Sequence, residues 1–452
     1  MDSTTLDDSA VTRMETFLDG IGATLKDKRQ RASFALYAAG LMSDGERKSM
    51  EPIAARASGD RHTVLAMHHK LVHFVSSPAW ADAPIRVLSA RYAVNAMQAH
   101  APIRTWVVDD TGFLKQGRHS PGVQRQYTGT AGKTTNCQIG VSLVLGNDHA
   151  HVPVDFRLYL PESWTNDPAR CRRAHIPPDC AYAPKWRLAL EMIETALQAG
   201  LPKGIVLADC GYGNTTVFRD TLSRLGLQYA VEIQSTTKLQ SVNHAGELGD
   251  RLSAMELGKM LERKVRRVTW REGTNTTLHS RFARIRVVVT HDDGQPRDPE
   301  WLLVEWPDAE TSPTKFVLTS LPSSISCVQL VRVFKSRWRI ERSYEDLKGE
   351  LGLDHYEGRS WVGWHHHVTV ALACYAFLVA EQMRSFSPSG ARATHHDPYD
   401  DTARTPLPRL AHHGQNVVSP RRGSPLASAM SMLPSVVRPR SPQKLTSRQF
   451  IG

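Results

Sequence analysis

Thr105-Trp106-Val107-Val108-Asp109-Asp110-Thr111-Gly112 is a β-rich run that ends in two acids, and Gly204-Ile205-Val206-Leu207-Ala208-Asp209-Cys210-Gly211-Tyr212-Gly213 repeats the design. Each reads as an apolar strand, an Asp where the strand leaves the sheet, and glycine that lets the backbone turn away. A carboxylate in that position reaches solvent and a cation, and open α/β sheets bind ligands at such carboxyl ends. One isolated strand-end Asp most often caps a turn. Two of them, on strands expected to be neighbours, shift the balance toward shared chemistry.

Working outward, Cys137 to Leu145 and Val152 to Leu160 read as a pair of strands. Lys185 to Ala199 is an amphipathic helix, Thr215 to Leu225 a second helix and Gln228 to Ile233 another strand. A hairpin followed by β-α-β-α-β gives an α/β fold, a mixed sheet with helices on its faces and the outline of an RNase H-like core. Residues 234–322 add strands at His279 to Thr290, Trp301 to Trp306 and Lys315 to Thr319, with one helix near Ala254 to Arg263, and read as a β-rich insertion. Helical periodicity resumes over Cys327 to Leu351 and Trp364 to Arg384. The expected organisation is a helical, DNA-binding region over 1–100, a catalytic domain over 101–384 and a disordered basic tail over 385–452. In the helical region the segments are Arg13 to Thr24, Arg29 to Leu41, Glu51 to Ala57, His62 to Val75 and Pro84 to Met97. Its basic stretch Lys26 to Arg31 suits either phosphates or a solvated helix face.

Composition sets the limits. The 452 residues are 41% hydrophobic with ten Trp, enough for large cores, and Lys and Arg exceed Asp and Glu by 11, which favours a polyanionic partner. The tail holds nine of the 26 prolines and nine cations against three acids, so much of the excess lies outside the periodic region. The apolar run Val368 to Ala380 falls short of the roughly 20 residues that cross a bilayer and reads as a buried helix. The acidic N-terminus lacks the order of a secretory signal, which leads to the expectation of a cytoplasmic protein without a membrane partner. Six cysteines without a C-x-x-C pair indicate reduced thiols.

A third element completes the pattern. In Phe334-Lys335-Ser336-Arg337-Trp338-Arg339-Ile340-Glu341-Arg342-Ser343-Tyr344-Glu345-Asp346-Leu347-Lys348, helical spacing puts Arg337, Glu341 and Lys348 on one face, with Phe334 a turn earlier. A solvent-facing stripe of ion pairs has the same appearance. With the two strand-end aspartates upstream, the spacing Arg337-x3-Glu341-x6-Lys348 resembles the DDE transposases of bacterial insertion sequences, in the group with a Tyr-Arg-Glu-Lys signature and a β-rich insertion. The similarity extends to Asp109 through Lys115, Tyr127 through Gly132, Leu158 through Trp164 and Gly352 through Trp361, and covers about Gly40 to Arg384. Phe334 stands where the signature has Tyr, which removes a hydroxyl and leaves an aromatic face for base stacking.

The resemblance implies Asp109, Asp209 and Glu341 as catalytic, metal-binding residues, with Asp110 a rival for the first position. It implies two Mg²⁺ ions, or Mn²⁺ as substitute, since hard cations take oxygen ligands and a metal pair stabilises both oxygens of an in-line displacement at phosphorus. It further implies cleavage at insertion-sequence ends, strand transfer into target DNA and a homodimer that brings two ends together. Arg337 and Lys348 are expected to clamp phosphates, Phe334 to lie against DNA, and Lys115 to touch phosphate or pair with a carboxylate. Trp361 and Trp364 suit either stacking on unpaired bases or packing between helices. The alternative to an enzyme is a catalytically inactive, transposase-derived repressor that binds ends without cutting, suggested by the atypical tail. Gly129 to Thr134 lacks the first glycine and the preceding apolar strand of an ATP-binding loop, and the triplet His365 to His367 lacks partner cysteines at zinc spacing.

Overall fold

The computed structural model describes residues 8–58, 60–272, 277–290 and 297–385. Five helices come first: α1 Asp8–Gly22, α2 Lys28–Met42, α3 Met50–Arg56, α4 Arg61–Ser76 and α5 Ala83–Gln98. Their apolar spacing gives each a buried face, and Asp27 and Asp60 accept backbone N–H bonds at the starts of α2 and α4. There follow β1 Thr105–Leu114, β2 Gln124–Thr128, β3 Lys133–Gly146, β4 His151–Leu158, the short helices α6 Glu162–Thr165 and α7 Pro168–Arg173, and α8 Lys185–Gln198. β5 Ile205–Ala208, α9 Cys210–Gly213, α10 Thr216–Arg224 and β6 Tyr229–Ile233 complete the β-α-β-α-β order.

The inserted segment contributes β7 Lys238–Val242, β8 Leu248–Ser253, α11 Ala254–Met260, β9 Arg266–Glu272, β10 Thr277–Val289, β11 Glu300–Trp306 and β12 Lys315–Thr319. Its strands continue the core sheet. The order is β2-β3-β1-β5-β6-β12-β11-β10-β7-β8, with β4 paired to β3 and β9 to β10. β1, β5 and β6 run parallel, whereas β12 joins β6 antiparallel. A separate apolar cluster around Leu239, Leu257, Val287, Val304 and Phe316 lies under α11.

Three helices close the chain: α12 Cys327–Lys335, α13 Arg339–Gly349 and α14 Trp361–Ser385. α14 is long and apolar enough to cross a membrane, but 89% of its most apolar stretch is buried within the protein, which makes it a core helix. It packs against α2, α4, α5 and β4, so that one apolar cluster runs from Met14 in the first helix to Met383 in the last. The histidine triplet belongs to this contact. His366 bonds the Val75 carbonyl at 2.9 Å, and His367 bonds the Tyr37 hydroxyl at 2.8 Å and the Leu353 carbonyl at 3.1 Å. Burial pushes both imidazoles down to about 4, so they sit neutral in the core. The tail from residue 386 onward lies outside the described residues.

Two local expectations need correction. β1 does not end at its acids: it continues to Leu114, because β3 supplies antiparallel partners as far as Leu114 opposite Cys137. What ends near Asp109 is its parallel neighbour, since β1 pairs with β5 only over Thr105 to Val107. The segment from Phe334 to Lys348 is likewise two helices joined by a 3-10 turn over Ser336–Trp338, and Arg337 lies in that turn.

Candidate active site

Sheet register brings the first two aspartates together. Val107 is opposite Leu207 in the parallel β1–β5 pair, and two residues further on Asp109 and Asp209 lie side by side. Ala208 is opposite Val231 in the β5–β6 pair, which sets Glu232 beside Asp209 in turn. Three carboxylates therefore stand in one row across adjacent strands, at the level where β5 ends. Asp209 also caps α9, accepting the Gly211 N–H at 2.9 Å. Gly213 has a steric reason: a Cβ there would lie 2.2 Å from the Glu232 carbonyl, so only glycine lets α9 press onto β6.

Arg337 is the centre of the charge pattern. Its Nη1 donates to Asp109 Oδ2 at 2.6 Å, and the Asp110 N–H donates to Asp109 Oδ1 at 2.8 Å. Burial works to lower the Arg337 pKa, but Asp109, then Asp209, Glu232 and Glu341, outweigh it, and the guanidinium stays charged. Asp109 carries the opposite balance. Burial pushes its carboxyl up to about 7; Arg337 opposes the rise and Asp209 adds to it.

Asp110, one residue along β1, is held by different groups. Its Oδ2 accepts from Lys185 Nζ at 2.9 Å and from the Tyr212 hydroxyl at 3.3 Å, both from helices that follow the hairpin. Alternation along the strand gives the two acids different surroundings. Glu341 lies exposed in the first turn of α13, within the electrostatic reach of Arg337. Beneath it, buried Tyr344 meets Ser142 of β3 at 2.7 Å, a contact that fixes α13 over β1 and β3.

The remaining residues singled out from the sequence are less open to DNA than expected. Phe334 is only 3% exposed and belongs to the main core, so its ring presents no free face. Lys348 Nζ donates to Thr111 Oγ1 at 2.8 Å, to the Gly112 carbonyl at 2.9 Å and to Thr130 Oγ1 at 3.3 Å. Lys115 donates to the Tyr356 carbonyl at 2.6 Å. Burial lowers the pKa of both ammonium groups, with Asp354 opposing it. Trp364 is buried at 1% exposure against Phe113 and Phe156, while Trp361 is half-buried beside His365. Gly129 to Lys133 forms the turn between β2 and β3.

Glu232 is the residue that sequence reasoning missed. Only the β5–β6 register distinguishes it from any other acid near a strand end. The donor set suits a hard cation: carboxylate oxygens, two of them on Asp residues in adjacent register, one raised in pKa where added positive charge would offset its burial. Among the described residues, however, no three acidic, histidine or cysteine side chains are gathered closely enough to hold a metal. Asp109 is paired with Arg337 instead.

Comparison with known proteins places the chain in a family. The family described as DDE superfamily endonuclease matches residues 20–277, more than half of the chain. The transposase DDE domain family matches residues 179–377. A probable transposase for insertion sequence element IS701 from Microchaete diplosiphon is 25% identical over 336 residues, which span 73% of this chain and 79% of that protein.

Proposed function

The chain belongs to the DDE transposases of bacterial insertion sequences, and from that membership we propose that it cuts DNA at the ends of its insertion sequence and joins them to target DNA. The observation that carries this reading is the setting of Arg337, which bonds Asp109 at 2.6 Å and whose charged form is favoured by Asp109 and then by Asp209, Glu232 and Glu341. Those three carboxylates, from β1, the end of β5 and α13, would hold two divalent ions, Mg²⁺ or Mn²⁺. Bound there, such ions lower the pKa of an attacking hydroxyl and stabilise the leaving oxygen of a phosphodiester.

The protein's own groups account for the rest. Asp109 is preferred to Asp110 as the first acid because sheet register sets it beside Asp209, whereas Asp110 faces Lys185 and Tyr212. Arg337 would fork onto a phosphate beside the scissile bond, and Glu341, exposed on α13, would be the third acid of the set. Lys348 and Lys115, bound to protein oxygens, are assigned to holding β1 and its end in place against α13 and the segment that follows it. Two ends must be brought together for transposition, so a homodimer on DNA is expected.

Purified protein with labelled end DNA tests the proposal. Mg²⁺-dependent nicking at the terminal repeats, absent on DNA without them, is expected. Binding without cutting in any divalent metal would favour the repressor, and equal cutting of unrelated DNA would indicate a general nuclease.

A further inference from the structure

The sheet edge that carries the candidate active site continues well beyond it. Past Asp209 and Glu232 the same edge leads to Lys315 at the start of β12, Glu305 opposite it on β11, Phe282 on β10 and Arg266 opposite Phe282 at the start of β9. Five strand-to-strand steps separate β5 from β9, about 24 Å at the usual spacing.

β9 is entered from α11 through a 3-10 turn, Glu262–Lys264. Lys259, Arg263, Lys264 and Arg266 are all exposed on this short stretch, and Glu262 is the one acid among them. The cations around them are differently placed. Arg267 and Arg281 share Asp308 at 2.7 and 3.1 Å, and Lys335 is held by Glu305 at 2.7 Å. Four like charges on eight residues repel one another unless a polyanion neutralises them.

We propose that the turn spanning Lys259 to Arg266 is a second DNA contact, which grips backbone phosphates of duplex DNA running from the scissile bond along this sheet edge, about seven base pairs away. The inference rests on the active-site reading above. Ammonium and guanidinium groups on an exposed turn hold phosphate without selecting sequence, so the contact lengthens the footprint and leaves the choice of end to other residues.

The test uses the full chain and a variant with Lys259→Ala, Arg263→Ala, Lys264→Ala and Arg266→Ala, compared by anisotropy over a range of salt. Its probes are end duplexes trimmed close to the scissile phosphate, or extended by about one helical turn on either the element side or the flanking side. Wild type should bind an extended duplex more tightly than the trimmed one. The variant should lose that gain, with a salt slope shallower by about 3 to 4, yet bind and nick the trimmed duplex as wild type does. The extension whose gain disappears identifies the duplex that lies on the turn. A variant that keeps both gain and slope, or a wild type that gains nothing from either extension, overturns the proposal. A wild type that nicks none of these duplexes, trimmed or extended, overturns the active-site reading, a result that does not depend on duplex length.

Discussion

Asp109→Asn removes the carboxyl that burial holds at about 7 against an ordinary 3.8. The folded protein keeps a proton there that the unfolded chain releases near pH 4. Between about pH 4 and pH 7 the native state therefore binds more protons, and this group's contribution to stability falls as pH rises through that window. At 1.36 kcal/mol per pKa unit the full shift corresponds to roughly 4 kcal/mol, an upper limit because Arg337 relaxes when its partner changes. Asp209, Glu232 and Glu341 still surround the guanidinium in the variant, so it is not left as an uncompensated charge. Urea denaturation followed by tryptophan fluorescence in chelator should give similar stabilities for wild type and variant near pH 4, with the variant ahead by roughly 1 to 4 kcal/mol near pH 8. Mg²⁺ should then stabilise wild type more than the variant and narrow or reverse that gap. A ligand at a hundredfold excess over its Kd adds about 2.7 kcal/mol to the state that binds it, and only wild type keeps the full carboxylate set. A difference that does not change with pH, or a variant less stable than wild type near pH 8 without metal, would refute the reasoning.

Three further substitutions probe the surroundings. Arg337→Ala should weaken the end complex and flatten its dependence on salt by about one phosphate contact; an unchanged slope would place the guanidinium away from DNA. Phe334→Ala should lower stability by about 3 to 5 kcal/mol in thermal or urea unfolding, as expected for a core truncation. Phe334→Leu should bind end DNA normally, and a specific loss of binding in that variant would contradict the burial of the ring. Lys348→Met removes the ammonium donor that the Gly112 carbonyl shares with the Thr130 hydroxyl, together with its bonds to two threonine hydroxyls, which should lower stability by about 1 to 3 kcal/mol and speed amide exchange around Gly112 and Thr130. Unchanged stability with a reduced salt slope would restore Lys348 to a phosphate-binding role.

The elements that sequence alone located are those whose burial imposes a period. α4 and α5 begin and end within a residue or two of expectation because a helix packed on one side must repeat its apolar positions at three and four. β5 and β12 are short apolar runs bounded by turn residues and were equally legible. β7, β8 and β9 escaped notice. They carry many polar or charged residues, and β8 is largely exposed, so little alternation marks them and their strand character comes from their neighbours. Asp109-Asp110-Thr111-Gly112 has turn chemistry, which the long antiparallel partner β3 overrides. Helical spacing across Phe334 to Lys348 was uninterrupted in the sequence, yet the packing of α12 on the inserted strands and of α13 on β1 and β4 is accommodated by the 3-10 turn at Ser336–Trp338. Asp109, Asp209 and Arg337 were recognisable as residue types at spacings, whereas Glu232 acquires meaning only from sheet register.

Cleavage and binding measured side by side on labelled end DNA, for wild type, Asp109→Asn, Asp209→Asn and Glu341→Gln, test the central claim most directly. Wild type should nick in Mg²⁺, and each variant should bind the end with near-normal affinity and fail to cut, because loss of a cation ligand removes the chemistry before it removes the phosphate contacts. Retained cutting in any of the three would contradict the assignment of that carboxylate and, with it, the shared metal site.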